Sequence, residues 1–412
     1  MKKIVTIALV ALMCAAIFAV DVSTSMRLGF NALALQDVGE KDGVKHVEIF
    51  DLDSCSTLKK DVSADAFSFS AGGPAGGFKI NLNPTMLQVK GGGAKLFDGA
   101  KEFSFYVGFG NFKLAFGHWV DGIYYAEQCK KDHDDTNWSG QGSLASLYKM
   151  GLIEGDYGKA FDNLVDINGG GKQKISAYAE YKLAKVLPGN LYFTAALVSL
   201  DVVGASDAAY YDAAADVKFA NAFGFRVAYQ QNKVINVNFD LRFFKKDIMG
   251  FGVYVSPLMV KGLNATVGYT MILGTDDTTK ANNGFGVDFR VRYEVIKGLT
   301  LTNQFNFTKM TDTDKMGIFD SFFALYKINS KIWASFDFQF DGDKTGDADM
   351  TSVMYMTPGC VLIAGDGCQI SMGVQTRINN KCSTKEYYGA GSTPIVRNGV
   401  DIAIPVIARV KF

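Results

Sequence analysis

Three groups of side chains in this 412-residue chain have types and spacings that suit chemistry. Asp341, Asp343, Thr345, Gly346, Asp347 and Asp349 follow the opening of a calcium loop, where oxygens at alternate positions wrap a hard cation and glycine permits the bend. The closing position is Ser352 instead of glutamate, and no helical pattern flanks the segment, so a solvated loop between strands is the expected role. Asp132, His133, Asp134 and Asp135 offer metal ligands, but the other two histidines, His46 and His118, lie far off in sequence, and no metal centre is expected. Cys360 and Cys368 sit symmetrically about Ala364, and a cross-strand disulfide forms there if their Cα atoms approach within about 7 Å. Cys14 lies in an apolar N-terminal run, while Cys55, Cys129 and Cys382 fall in expected loops.

Catalytic patterns are missing from the sequence. There is no glycine-rich phosphate loop between a strand and a helix, no GxSxG elbow, and too few histidines for a persuasive triad, so neither an enzyme nor a cofactor is expected. The 42 basic residues balance 42 acidic ones, which argues against a nucleic-acid partner held by bulk charge.

The polar residues that remain are arranged with a period of two. Asp288, Arg290, Arg292 and Glu294 alternate with Phe285, Val287, Phe289, Val291, Tyr293 and Val295. Asp240 and Arg242 alternate with Ile235, Val237, Phe239, Leu241 and Phe243; Thr300, Thr302 and Gln304, then Arg409 and Lys411, repeat the device. One face of each such strand is apolar and the other is hydrophilic, as in a half-buried sheet.

The elements that must position these faces are strands. Phenylalanine, tyrosine and glycine are abundant and there are only 7 prolines, a composition that favours sheet. Residues 1–19, with Lys2 and Lys3 before an apolar run ending at Ala19, read as a secretory signal peptide, which leaves residues 20–412 as a single domain. No later stretch reaches the roughly 18 uninterrupted apolar residues of a spanning helix, so a membrane form of the chain is a barrel. Tight turns are expected at Gly110-Asn111, Pro188-Gly189-Asn190, Lys261-Gly262, Lys297-Gly298 and Asp366-Gly367, with another at Asn329. Longer polar links separate them: Gly274 to Asn283, Met310 to Met316, Asp341 to Met350, and Ile378 to Asn398. This asymmetry gives an all-β reading: a transmembrane antiparallel up-and-down β-barrel of roughly 16 to 18 strands, with Val62 to Ser70 and Val353 to Ala364 the weakest segments.

The chain ends on an amphipathic strand whose Val400, Ile402, Ile404, Val406, Ala408, Val410 and Phe412 share a face. That strand, closing on a terminal Phe412, resembles the assembly signal of bacterial outer-membrane β-barrel proteins, porin-like in their short turns and long loops. The resemblance implies insertion into outer-membrane lipid by the barrel-assembly machinery, which reads the terminal aromatic, and by analogy a homo-oligomer. Pro405 departs from an ideal strand because it donates nothing to a ladder, and a bulge or unpaired position is expected there.

A barrel of this size leaves an aqueous channel whose wall carries Asp240, Arg242, Asp288, Arg290, Arg292, Glu294, Gln304 and Arg409. The expected function is a porin-like channel for passive diffusion of small hydrophilic solutes; the alternative is a surface-exposed adhesin or structural barrel without an open lumen. The longest link, 121–171, carries nine acidic and four basic residues, with Leu144, Leu147, Tyr148 and Leu152 at helical spacing. In order and acidity it resembles the third loop of general porins, which folds into the lumen. Glu154, Asp156, Asp162 and Asp166 would form its constriction, set against Arg290 and Arg292.

Overall fold

The computed structural model describes residues 21–23, 25–38, 44–49, 67–73, 75–84, 97–116, 175–186, 188–198, 223–245, 248–274, 283–311, 316–344, 349–365, 367–384 and 395–411. Nearly all are strand: β1 (Asp21–Ser23), β2 (Ser25–Val38), β3 (Val44–Ile49), β4 (Phe67–Gly73), β5 (Gly76–Pro84), β6 (Phe97–Phe109), β7 (Phe112–Phe116), β8 (Ile175–Val186), β9 (Gly189–Val198), β10 (Phe223–Gln231) and β11 (Ile235–Lys245). The second half holds β12 (Ile248–Pro257), β13 (Leu263–Gly274), β14 (Gly284–Tyr293), β15 (Leu299–Met310), β16 (Met316–Lys327), β17 (Ile332–Lys344), β18 (Thr351–Gly365), β19 (Cys368–Gly373), β20 (Gln375–Thr384) and β21 (Ile395–Lys411).

Every pairing is antiparallel, and each strand from β5 to β18 lies beside its sequence neighbours. Three pairs of segments each make one stave: β1 with β2, β3 with β4, which both line the β1–β2 stave, and β19 with β20, which both lie between β18 and β21. The twenty-one described segments therefore form eighteen staves. β21 then pairs with β2, Leu28 facing Ala408 and Leu35 facing Ile402, which closes the sheet on itself.

The closure shows how Pro405 is housed. Pro405 faces Asn31, but the next pair is Leu33 with Ile404, so Ala32 bulges out of the ladder. On the other side, Val406 faces Met372 and Ala403 faces Gln375, which places Pro405 at the break between β19 and β20. The missing N–H falls where neither neighbouring strand requires it.

The expected tight turns form. Gly110, Gly262, Gly298 and Gly367 adopt φ of 61, 80, 83 and 75°, the left-handed conformation that glycine reaches without steric cost. Asn329 closes its turn differently: its Oδ1 accepts from the N–H groups of Lys331 and Ile332 at 2.8 and 2.9 Å. Ser25 faces Lys411 and Cys368 faces Val410, so both ends of the described barrel lie at the same rim as the Gly367 turn.

Side chains on β10 to β15 sort by parity. Phe225, Val227, Phe239, Val267, Tyr269 and Phe289 are exposed outward, and Phe239, Phe251, Tyr269, Phe285 and Phe307 form a chain of outward rings with successive centroids 6.1 to 6.5 Å apart. The alternate positions, including Arg226, Asn236, Asn238, Asp240, Thr266 and Thr302, are polar and buried. A water-soluble barrel is built the other way round. An outer surface this apolar, interrupted on the described strands by the hydrogen-bonded Asn303–Asp320 pair, requires a hydrocarbon solvent, so the barrel is of the transmembrane kind.

Four local readings are corrected. Asp341 and Asp343 belong to β17, facing Val353 and Thr351 across the ladder, and an extended backbone cannot wrap a cation; residues 345–348 lie outside the described residues. β20 runs on to Thr384 and β21 begins at Ile395, so the last link is shorter than Ile378 to Asn398, and Cys382 is a strand residue facing Arg397. Cys360 faces Met372 whereas Cys368 faces Gly365; this register separates the two thiols along the hairpin, and both are free. Val353 to Ala364 lies within the full strand β18, while only Phe67 onward of the segment Val62 to Ser70 is described, as β4.

Candidate functional site

The candidate site is the inner wall, and strand register builds it row by row. One row starts at Gln230 on β10, facing Asn236 on β11, which in turn faces Ser256 on β12. Ser256 Oγ and Thr266 Oγ1 share a hydrogen bond of 2.7 Å. The row continues through Arg290, Gln304, Ser321, Gln339, Tyr355, Arg377 and Asp401. A parallel row links Ala228, Asn238, Tyr254, Gly268, Asp288 and Asn306. Because barrel strands tilt, such rows climb around the wall instead of forming flat rings.

Each of the three arginines whose side chains are described on this wall stands beside a carboxylate. Arg226 donates from Nε to Asp240 Oδ1 at 2.5 Å and from its second terminal nitrogen to Oδ2 at 2.6 Å, and both side chains have 0% exposure. Such a fork-on-fork contact fixes both groups in direction as well as in distance. Arg377 lies 3.2 Å from Asp401 and donates to Asn379 Oδ1 at 2.6 Å, while Asn379 donates to Asp401 at 3.0 Å, making a closed buried triad. Arg292 donates to Glu294 at 2.7 Å at the rim beside the Gly298 turn, and Thr300 adds a bond of 3.4 Å. The Arg292 contact holds the Glu294 carboxyl below its ordinary range. Lys113 lies over the rings of Tyr106 and Tyr178 at 4.6 and 5.7 Å, and Lys182 over Tyr192 at 5.8 Å.

The uncharged groups behave differently. Both amide atoms of Asn236, Oδ1 of Asn238, Oγ1 of Thr302, and Oε1 of Gln339 and Gln375 are buried with no hydrogen-bonding partner among the described residues. A dry site would lose about 1–3 kcal/mol for each such atom. Gly250, Gly252, Gly268 and Gly286 occupy inner positions and are buried, so neighbouring side chains lie over them. A Cβ on Gly252 would come within 2.9 Å of the Tyr254 ring, so that ring lies along the wall.

Of the expected pore-lining residues, Asp240 and Arg292 are buried and Glu294 stands exposed at the rim. Arg242, Asp288, Arg290, Gln304 and Arg409 hold strand positions in the same parity as the inner rows, facing Gly250, Gly268, Thr266, Ser321 and Gln369, while their side chains lie outside the described residues. Glu154, Asp156, Asp162, Asp166 and Phe412 lie outside the described residues altogether. Sequence reading passed over Arg226 and Arg377 and did not single out Asp401. The signal was there: Arg226 stands between Phe225 and Val227, and Arg377 precedes Ile378, in the same alternation that exposed Asp240.

No family model matches the chain, and no curated protein matches it. Solved structures that it is similar to include the outer-membrane expressed OmpT of Vibrio cholerae, at 9% identity and a TM-score of 0.46, covering 95% of this chain and 97% of that one. The outer membrane channel DcaP of Acinetobacter baumannii is 9% identical, with a TM-score of 0.46 and coverage of 96% and 97%. The anion-selective porin from Comamonas acidovorans is 11% identical, with a TM-score of 0.47 and coverage of 96% and 99%. The chain's own register, closure and inverted polarity make it a closed transmembrane barrel of eighteen described staves.

Proposed function

We propose that this chain is a porin-like channel of the bacterial outer membrane that passes small hydrophilic solutes by passive diffusion. The observation that carries the reading is the inner wall: a barrel whose outside is apolar has an inside of amides, hydroxyls and charged groups. Eighteen staves enclose more space than small-barrel side chains fill, and a wall of this chemistry favours water and polar solutes in it. In this reading residues 1–19 are removed on export, the strand ending at Phe412 is read by the assembly machinery, and the mature barrel assembles with copies of itself. The acidic link, with Glu154, Asp156, Asp162 and Asp166, is the proposed narrow point; its order along the chain and its charge support that role.

A second reading, a barrel that is occluded and serves at the cell surface, is favoured by one observation. Arg226, Asn236, Asp240, Thr302, Ser321, Tyr355 and Thr357 have exposures of 1% or less, whereas side chains bordering a wide water column stay wet. Liposome swelling separates the two. Liposomes carrying the folded chain should admit small sugars and amino acids at rates that fall with solute size; folded chain that admits none supports the occluded barrel.

A further inference from the structure

We infer that the outer face of β13 to β16 is the surface through which this barrel pairs with a second copy of itself, Tyr269 of each copy donating to Asp320 of the other; this rests on the self-assembly in the reading above. The first support is a polar pair on the lipid side. Thr302 and Ser321 have 0% exposure on the inner wall, so their neighbours Asn303 and Asp320 point outward, where they face Phe322 and Phe305 across the β15–β16 ladder. Asn303 Nδ2 donates to Asp320 Oδ1 at 2.7 Å and to the Ser321 carbonyl at 3.3 Å. Both amide hydrogens are thereby committed, which leaves Asn303 Oδ1 and Asp320 Oδ2 without a donor among the described residues.

Depth makes that arrangement costly in lipid. Asp320 stands seven residues from the Lys327 end of β16, which is the rim of the Asn329 turn. At about 2.5 Å of height per residue in a tilted strand, this is about 17 Å into an apolar band about 25 Å tall. Phe307 and Ile318 continue the apolar surface on the far side of the pair. Lipid chains at this depth carry no donor, and ionisable groups facing them are expensive. The Asp320 carboxyl therefore needs a protein surface that brings a donor.

The second support is that the same face carries that donor. Tyr269 on β13 points outward and is 41% exposed, and its hydroxyl meets only the Met271 thioether at 3.9 Å among the described residues, a weak acceptor. It stands six residues above the Leu263 end of its strand, so it is level with Asp320 to within about 3 Å. β13 and β16 are three staves apart, and a twofold axis along the membrane normal between β14 and β15 sets each Tyr269 opposite the Asp320 of the other copy. At that offset the walls of two eighteen-stave barrels have parted by about 5 Å, which the length of a tyrosine covers. Phe289 and Phe305, facing each other across β14 and β15, lie at the axis and supply the apolar centre of the contact. A face that holds its missing donor and its missing acceptor on either side of one line is complementary to a copy of itself.

The test uses the full mature chain, shown to be folded by heat-modifiable migration and carried in phosphatidylcholine vesicles. Energy transfer between donor-labelled and acceptor-labelled chains, followed over a range of protein-to-lipid ratios, gives the dissociation constant of the pair. Tyr269→Phe should raise it about a hundredfold, about tenfold for each of two hydrogen bonds to a charged group. Asp320→Leu should raise it comparably, and Tyr269→Phe made in the Asp320→Leu chain should add less than about twofold. Phe305→Cys, at the axis, should cross-link into dimers with a short bismaleimide above the background of the native cysteines, and Val227→Cys, outward on β10, should not. An oligomer whose affinity Tyr269→Phe leaves unchanged, or which cross-links through Val227→Cys as readily as through Phe305→Cys, overturns this interface and leaves self-assembly standing. Chains that remain monomeric at every ratio overturn both.

Discussion

Removing one member of the Arg226–Asp240 pair tests how dry the inner wall is. Both side chains have 0% exposure and meet through two bonds of 2.5 and 2.6 Å, so Asp240→Ala strands a guanidinium in a shielded site. Stranding a buried charge costs about 3–5 kcal/mol, whereas replacing both partners by apolar groups of similar volume is close to neutral. Asp240→Ala is therefore expected to lower stability by about 3–5 kcal/mol, and Arg226→Met combined with Asp240→Leu by less than about 1 kcal/mol. Urea titration of the barrel folded in phospholipid vesicles, followed by tryptophan fluorescence, measures both. A single-mutant loss of about 1 kcal/mol or less, additive with the second change, would match a solvated surface pair and refute the shielded wall.

Three further outcomes follow from the geometry. Gly77→Ala should destabilise the β4–β5 hairpin by about 1–3 kcal/mol, because its Cβ would stand 2.7 Å from the Tyr106 ring and 2.8 Å from both the Ala71 carbonyl oxygen and Gly72 Cα; the same titration reads it. Pro405→Val should change stability by less than about 1 kcal/mol, since its backbone nitrogen already lies between a bulge and a strand break. The Asp349 carboxyl, outside the strands, is held below its ordinary value of 3.8 by its hydrogen bond from Lys381 and by that residue's charge. A folded value below the unfolded one means the stabilisation is present above pH 3.8 and is lost as pH falls through the folded value; Lys381→Gln should return the carboxyl-carbon titration of Asp349 to the ordinary range.

The parts of the fold that sequence made legible share a physical cause. In Phe285 to Tyr293 and Ile235 to Phe243 the two faces meet opposite solvents, lipid outside and a polar lumen inside, so the period of two survives undiluted. Glycines with positive φ marked the turns for a reason local to the backbone, and Pro405 foretold a ladder defect for the same kind of reason. β18 was hard to read because it is apolar on both sides: Val353, Tyr355 and Val361 point inward and are buried while Met354 and Met356 take the opposite parity. Val361 packs with Phe323 and Leu325 in a small apolar cluster inside the barrel, which removes the alternation.

The site was less legible than the fold. Single strands showed that Asp240 and Arg292 face inward, but pairing depends on register, and register depends on two hairpins at once. Arg226 meets Asp240 only because the β10–β11 turn sets those two residues opposite each other. The aspartates at 341 and 343 show the converse, a local motif match that loses to ladder pairing with β18.

The central claim is that the eighteen-stave barrel holds a continuous hydrophilic path across the membrane. Single-channel recording of the folded mature chain in a planar bilayer tests it most directly. Stable, stepwise conductance that scales with salt concentration is the predicted result; silence from protein shown to be folded and inserted would contradict it.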